Sequence, residues 1–149
     1  MDVESRVLLV EAEAPLRRSL EKYLKRAGYT FESCPSAREA LLLITQFDPD
    51  VVIVEYHLPD ANGADLIDNF LRISPDIRTI LISEYDFQSI ADALVRVNVD
   101  SFLKKPFDVA ELETALSLGA RPRRTPARSE KSGCQVCLPP FLNRVLSDT

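Results

Sequence analysis

The chain has few of the residues that build common catalytic and metal sites. Its 149 residues include no tryptophan, one histidine and three cysteines. One histidine excludes a histidine-rich metal centre, and three cysteines, of which Cys34 is isolated, do not make a disulfide framework. No apolar run approaches the roughly 20 residues of a membrane span, and the N-terminal MDVESR is not a secretory signal. We therefore expect a cytoplasmic protein without a membrane partner.

The balance of charge is acidic. The formal net charge is -5, which argues against a nucleic-acid-binding surface on the body of the protein. The chain contains 46% hydrophobic residues, an ordinary share for a globular protein. Its length suits one compact domain with an appendage.

What the sequence does contain is an alternation of short apolar strands and amphipathic helices. Ser36 and Glu39 form a capping box at the start of one helix. Asp108 and Glu111 have the same spacing at the start of the last predicted helix. Gly28 is typical of the residue that ends a helix. Five strand–helix units fit into residues 1–118, with strands at 6–10, 30–34, 51–54, 77–82 and 101–107 and the fourth helix at 87–97. This alternation predicts an α/β fold with a five-stranded parallel sheet, doubly wound and flavodoxin-like, in the strand order 2-1-3-4-5.

From residue 119 the composition changes, and we interpret residues 119–149 as a linker and tail. Residues 121–128 contain four arginines, which are typical of a solvated linker; contact with nucleic acid or an acidic partner is the minor alternative. Cys134 and Cys137 form a CxxC without a second pair, which is a weak zinc signal, and a chance pair is favoured. Residues 141–146 fit one short amphipathic helix.

Polar side chains stand where the predicted strands end. Glu11 follows the first strand and Glu55 ends the third, with Glu13 on the loop nearby. Ser83 ends the fourth strand and Lys105 the fifth. Any single strand commonly ends in a polar residue, but in this topology ligand sites form at the carboxyl ends of the strands. Four such residues at one edge therefore predict a site.

The segments that carry these residues resemble the receiver domain of bacterial response regulators (CheY-like) over residues 5–118. They are LLVEAE, VEYHLPDANG, LIS and SFLKKPF. The resemblance implies that a histidine kinase phosphorylates an aspartate at the end of strand 3, with Mg²⁺ held by an acidic pair after strand 1. It also implies that Ser83 and Lys105 bind the phosphoryl oxygens. The strand 5 aromatic that changes rotamer with the switch would be Phe102.

Three residues depart from the family pattern, all of them in the reaction centre. The acceptor position holds Glu55, the acidic pair is Glu11 with Ala12, and Glu84 replaces a small residue. The extra methylene of a glutamate moves the nucleophilic oxygen by about 1.5 Å, when a misplacement of about 1 Å can cost 10²-fold in rate. Mg²⁺ tolerates little error in ligand geometry. We therefore predict a pseudo-receiver: a non-enzymatic signalling module without a metal cofactor. A residual Mg²⁺ site would consist of Glu11, Glu55 and the backbone of His57.

Several alternatives stay open from the sequence. Glu55 either imitates a phosphorylated aspartate, directed towards Lys105 and Ser83, or forms a structural ion pair with Lys105 in place of a metal. The rival function is a Mg²⁺-dependent phosphoacceptor with an atypical Glu55, and a third is an N-terminal fragment whose effector domain follows. His57 as a pH sensor is a minor option. The expected partners are proteins, including a second copy bound through the helix 4, strand 5, helix 5 face, while a histidine kinase is an open question.

Overall fold

Five strands alternate with five helices in the computed structural model, which describes residues 5–95 and 97–117. The strands are β1 (Arg6–Val10), β2 (Thr30–Cys34), β3 (Val51–Glu55), β4 (Arg78–Ser83) and β5 (Ser101–Lys104). The helices are α1 (Ala14–Ala27), α2 (Ala37–Phe47), α3 (Gly63–Ile73), α4 (Phe87–Leu94) and α5 (Val109–Ser117). The CxxC pair and the predicted tail helix lie outside the described residues, so the division at residue 118 stays a prediction.

The strands form one parallel sheet in the order β2-β1-β3-β4-β5. The predicted fold class is therefore confirmed. Chain order reverses between β1 and β3, whose last paired residues are Val10 and Val54. This register places the residues that follow β1 next to the end of β3, which is where a ligand site forms in this topology.

The core consists of two apolar layers, one on each face of the sheet. Alternate residues of the central strands point to opposite faces, so both faces are buried and the middle residues of these strands are apolar. Leu8 and Val52 pack with α2, α3 and α4, whereas Leu9 and Ile53 pack with α1 and α5. None of the helices in the described part of the chain is both long and apolar enough to cross a membrane.

The predicted helix boundaries are confirmed at three of the caps. The Ser36 hydroxyl accepts a hydrogen bond from the Glu39 N–H, and Gly28 ends α1 in the left-handed region with φ 92°. In the capping box that opens α5, the Glu111 N–H donates to Asp108 Oδ1 and the Asp108 N–H to Glu111 Oε1.

The end predicted for the fourth helix, residue 97, is wrong. Helix α4 ends at Leu94 and Val95 is its C-cap. Val97 instead turns inward and packs against the core. The valines that extended the helical pattern favour this earlier end of α4, since side chains branched at Cβ are less favourable in helices.

Candidate functional site

Three carboxylates surround the ammonium of Lys105 at the carboxyl edge of the sheet. Lys105 directly follows β5, and its side chain is only 11% exposed. Its Nζ forms an ion pair with Glu55 Oε1 and lies 3.4 Å from Glu11 Oε2 and 3.2 Å from Glu13 Oε1. Residues from β1, β3 and β5 therefore meet at one point, although they are far apart in sequence.

Both side-chain oxygens of Glu55 are engaged. This last residue of β3 is buried. Its Oε1 pairs with Lys105 and its Oε2 accepts a hydrogen bond of 2.9 Å from the His57 N–H. The His57 N–H thus donates to the carboxylate, while the residual Mg²⁺ site predicted from the sequence would use the backbone carbonyl of His57, a different atom.

Glu11 is the most deeply buried acid of the group. It has no exposed surface, and its Oε2 accepts a 3.0 Å hydrogen bond from the Glu13 N–H. Within the described residues its Oε1 has no hydrogen-bond partner. Burial raises the pKa of Glu11 to about 7, and the nearby negative charge of Glu55 adds to the rise, while the Glu13 N–H and Lys105 oppose it. Burial therefore favours the protonated form of Glu11 relative to that of an exposed glutamate.

Lys105 remains charged in this environment. Burial alone would lower the pKa of Lys105, because it disfavours the charged form. The hydrogen bond to Glu55 and the charges of Glu11 and Glu55 outweigh burial and raise the pKa well above its ordinary range. The ammonium is the cation that balances the acidic residues of this edge.

The donor set does not fit the Mg²⁺ that the resemblance implies. A Mg²⁺ site requires several oxygen ligands in near-octahedral geometry. The ammonium of Lys105 lies between Glu11 and Glu55, and position 12 holds an alanine without a ligand atom. No group of three acidic, histidine or cysteine residues arranged to hold a metal is found in 5–95 and 97–117. One unpartnered oxygen, Glu11 Oε1, does not make a coordination sphere.

Of the three proposed switch residues, Lys105 pairs with Glu55, whereas the other two have different neighbours. Ser83 is buried and its Oγ accepts a 2.9 Å hydrogen bond from the Tyr85 N–H. Phe102 is half-buried, and its ring packs edge-on against the Phe87 ring with centroids 5.6 Å apart. The sequence left open a contact between Glu55 and Ser83, and no hydrogen bond joins them in the described structure.

Glu84 stands at the mouth of the site and not inside it. It is exposed and lines a groove of about 460 Å³ together with Lys105, Leu16 and Phe107. An anion that approached Lys105 through this groove would meet a carboxylate of like charge. Glu84 therefore affects the access of anions to the site.

Three aromatic residues around the site, Tyr56, Tyr85 and Phe87, were not predicted from the sequence. The exposed His57 ring packs edge-on against Tyr56 and Tyr85, with centroids 5.1 and 4.9 Å apart, and the Tyr56 hydroxyl accepts from Asn62 Nδ2 at 3.0 Å. Tyr85 lies in the connection between β4 and α4, and Phe87 is the first residue of α4. No periodic sequence pattern in this stretch predicts the ring contacts. The aromatic character of these residues was the only signal.

Comparisons with known proteins agree with the fold. Residues 7–117 match the family model described as response regulator receiver domain. The photosynthetic apparatus regulatory protein RegA of Cereibacter sphaeroides is 28% identical over 110 residues, which are 74% of this chain and 60% of RegA. The chemotaxis protein CheY of Thermotoga maritima is 28% identical over 113 residues, 75% of this chain and 94% of CheY.

A solved structure is similar as well. The signal receiver domain of an HD domain-containing protein from Pseudomonas fluorescens Pf-5 is 30% identical, with a TM-score of 0.71 over 76% of this chain and 92% of that one. This chain spans only 60% of the length of RegA, so what the whole of RegA does is not transferred. With a match over residues 7–117, the chain belongs to the response regulator receiver domain family.

Proposed function

We propose that this receiver domain signals through protein contacts and without Mg²⁺-dependent phosphorylation of its acceptor position. The observation that carries the proposal is the Lys105 ammonium, which lies among Glu11, Glu13 and Glu55. A fixed cation thus balances the carboxylates. The domain is a signalling module and not an enzyme.

The chemistry of phosphoryl transfer supports this proposal. The reaction depends on precise positioning and on a metal that neutralises the developing charge. Here the acceptor carboxylate is longer by one methylene, and both of its oxygens are occupied by Lys105 and the His57 N–H. A phosphodonor would have to displace the buried ion pair before it met the nucleophile.

Between the two roles left open for Glu55, we favour the structural ion pair over the imitation of phosphate. A phosphate mimic would draw the Ser83 hydroxyl towards the acceptor position. Instead that hydroxyl accepts from the Tyr85 N–H, and the Phe102 ring stays against Phe87. Glu55 also supplies one negative charge, less than the -1.5 to -2 that a phosphoryl group adds.

The test is phosphorylation of the intact chain by acetyl phosphate with Mg²⁺, measured by intact-mass spectrometry. We expect no phosphoryl group on the natural sequence. The matched variant carries Ala12→Asp and Glu55→Asp, which restore the acidic pair and the shorter acceptor, and we expect it to gain phosphorylation or to bind beryllofluoride. Phosphorylation of the natural chain that disappears in Glu55→Gln would instead establish the rival function.

Self-association is the second part of the proposal. Exposed apolar side chains on α4, at its C-cap and on α5, namely Phe87, Val95 and Val109, favour a protein interface on the surface formed by α4, β5 and α5, hereafter the α4–β5–α5 face. A second copy of the chain is the partner we propose there. The greater length of RegA supports the alternative that such a domain serves a longer regulator.

A further inference from the structure

The charges of this protein are divided between the folded body and the segment that follows it. Of the 18 Lys and Arg residues, six lie in 118–149, whereas only two of the 23 Asp and Glu residues lie there. Residues 1–117 are therefore strongly acidic and the following segment is basic. Four of its arginines are concentrated in residues 121–128, which we call the basic segment.

An acidic groove lies on the body close to the end of α5. It has a volume of about 450 Å³ and runs between β5 and α5, lined by Phe102, Leu103, Asp108, Glu111, Thr114 and Ala115 among others. Each of the two carboxylates uses one oxygen in the cap of α5, and both side chains are exposed. The neighbouring Lys104 is partly neutralised by Asp86, 3.7 Å away.

The lengths of the segments fit this groove. Helix α5 ends at Ser117, two residues after the Ala115 that lines one end of the groove. Four further residues reach Arg121 and span at most about 14 Å, and Gly119 gives the chain a place to reverse direction. The basic segment contains Pro122 and Pro126, and a chain of its length can span about 25 Å when extended. This exceeds the roughly 10 Å from Ala115 back to Asp108 along the helix.

We propose that the basic segment docks in the acidic groove of its own chain. Its arginines pair with Asp108 and Glu111, and its backbone covers the exposed edge of Phe102. The docked segment occupies part of the α4–β5–α5 face and competes with any partner for it. This autoinhibitory contact depends on charge complementarity and on the short connection, and it does not depend on the chemistry of Glu55.

The test compares ¹⁵N–¹H spectra of the full chain with those of a variant in which Arg121, Arg123, Arg124 and Arg128 are all replaced by Gln. We expect the amide signals that differ to include those of residues 101–103, 110, 111 and 114. The differences should be large in salt of about 0.01 M, where charges act over about 30 Å, and should collapse at about 1 M, where the range is about 3 Å.

Two single variants on α5 provide the matched control. Glu111→Gln removes a groove charge but keeps the cap, because a glutamine accepts the same backbone hydrogen bond. It should abolish the spectral difference at the groove, whereas Glu113→Gln, on the same helix but outside the groove, should leave it unchanged. Differences confined to residues after 117 would overturn the proposal. Groove shifts that vanish on dilution would overturn it too, because the occupant would then be a second copy.

Discussion

At the scale of single residues, the charge balance of the site depends on Lys105. Its ammonium is the cation shared by two buried glutamates and one exposed glutamate, Glu13, whose side chain is 57% exposed. Breaking a buried pair by removing one partner leaves an uncompensated charge, which costs about 3–5 kcal/mol when burial is deep. Glu55 and Lys105 are therefore expected to be coupled energetically, while Glu13 contributes little.

The first prediction is a double-mutant cycle on this pair. We expect Lys105→Ala to lower the free energy of unfolding by about 2–4 kcal/mol, and Glu55→Gln in the same chain to restore part of the loss. Urea denaturation measures both. The half-exposed Lys104, which only approaches Asp86, is the control, and Lys104→Ala should cost well under about 1 kcal/mol. Additive effects of the two substitutions at the site would contradict the ion pair.

The second prediction concerns the pH dependence that Glu11 confers. Its pKa is raised from 4.5 to about 7 in the fold, chiefly by burial, so the native state holds more protons than the unfolded chain between these values. The stabilising effect of this proton is complete below pH 4.5 and is lost as the pH rises to about 7. The loss is on the order of 3 kcal/mol.

We therefore expect Glu11→Gln, which cannot ionise, to gain stability relative to the natural chain as the pH rises from about 4.5 to about 7. The urea midpoint measured across this range is the readout. Glu13→Gln is the control, because Glu13 contacts the same ammonium but is mostly exposed, and it should keep the natural slope. Parallel curves for Glu11→Gln and the natural chain would show that Glu11 does not bind a proton in this range.

At the scale of elements, the third prediction concerns the close approach of β3 and α3. Gly63 begins α3, and a Cβ at this position would lie 2.8 Å from Tyr56 Cα and in contact with the Glu55 carbonyl. Both are backbone atoms that cannot rotate away. Gly63→Ala should therefore displace the start of α3 and destabilise the fold by about 1–3 kcal/mol. Thermal unfolding measures this, and the exposed Asn69→Ala in the same helix should change stability by less than about 0.5 kcal/mol.

The elements themselves could be predicted because their signals are local. Apolar runs between turn residues mark the strands, and the Asp108–Glu111 pair marks the start of α5 before any tertiary contact is known. The end of α4 could not be predicted, because Val97 fits a helical pattern as well as it fits the core. Tertiary packing decided between the two.

The site could be predicted only in outline. The topology brings strand ends together, so the meeting of Glu55 with Lys105 followed from the fold class. The hydrogen bond from the Tyr85 N–H to Ser83 and the packing of Phe87 on Phe102 depend on the path of the β4–α4 connection. No sequence spacing encodes that path. For this reason the state of the switch residues had to come from the structure.

At the scale of the whole molecule, charged residues and exposed apolar side chains both contribute to the surface. The body is acidic, yet Val95 at the end of α4 and Val109 at the start of α5 are 61% and 58% exposed. These exposed side chains on neighbouring elements are the basis of the protein interface that we propose for the α4–β5–α5 face. In a symmetric dimer the same face of both copies lies in the interface. A substitution there therefore removes contacts twice and has a larger effect on association.

The fourth prediction is that Val95→Ser combined with Val109→Ser weakens self-association of the full chain. Four valine side chains are lost from a symmetric interface, which costs on the order of 3 kcal/mol, or roughly a hundredfold in Kd. Sedimentation equilibrium measures the change. Leu42→Ser is the matched control, since Leu42 is 63% exposed on α2 and lies outside the α4–β5–α5 face, and it should leave Kd unchanged.

The same measurement distinguishes the two roles of Glu55. If Glu55 imitated a phosphoryl group, Glu55→Ala would release Ser83 and Phe102 and shift the protein towards monomer. In the described residues no hydrogen bond joins Ser83 to Glu55: the Ser83 hydroxyl accepts from the Tyr85 N–H, and the Phe102 ring packs on Phe87. We therefore expect Glu55→Ala to lower the free energy of unfolding but to leave Kd as it is. A monomeric Glu55→Ala that is still folded would show that Glu55 holds the face in its associating state.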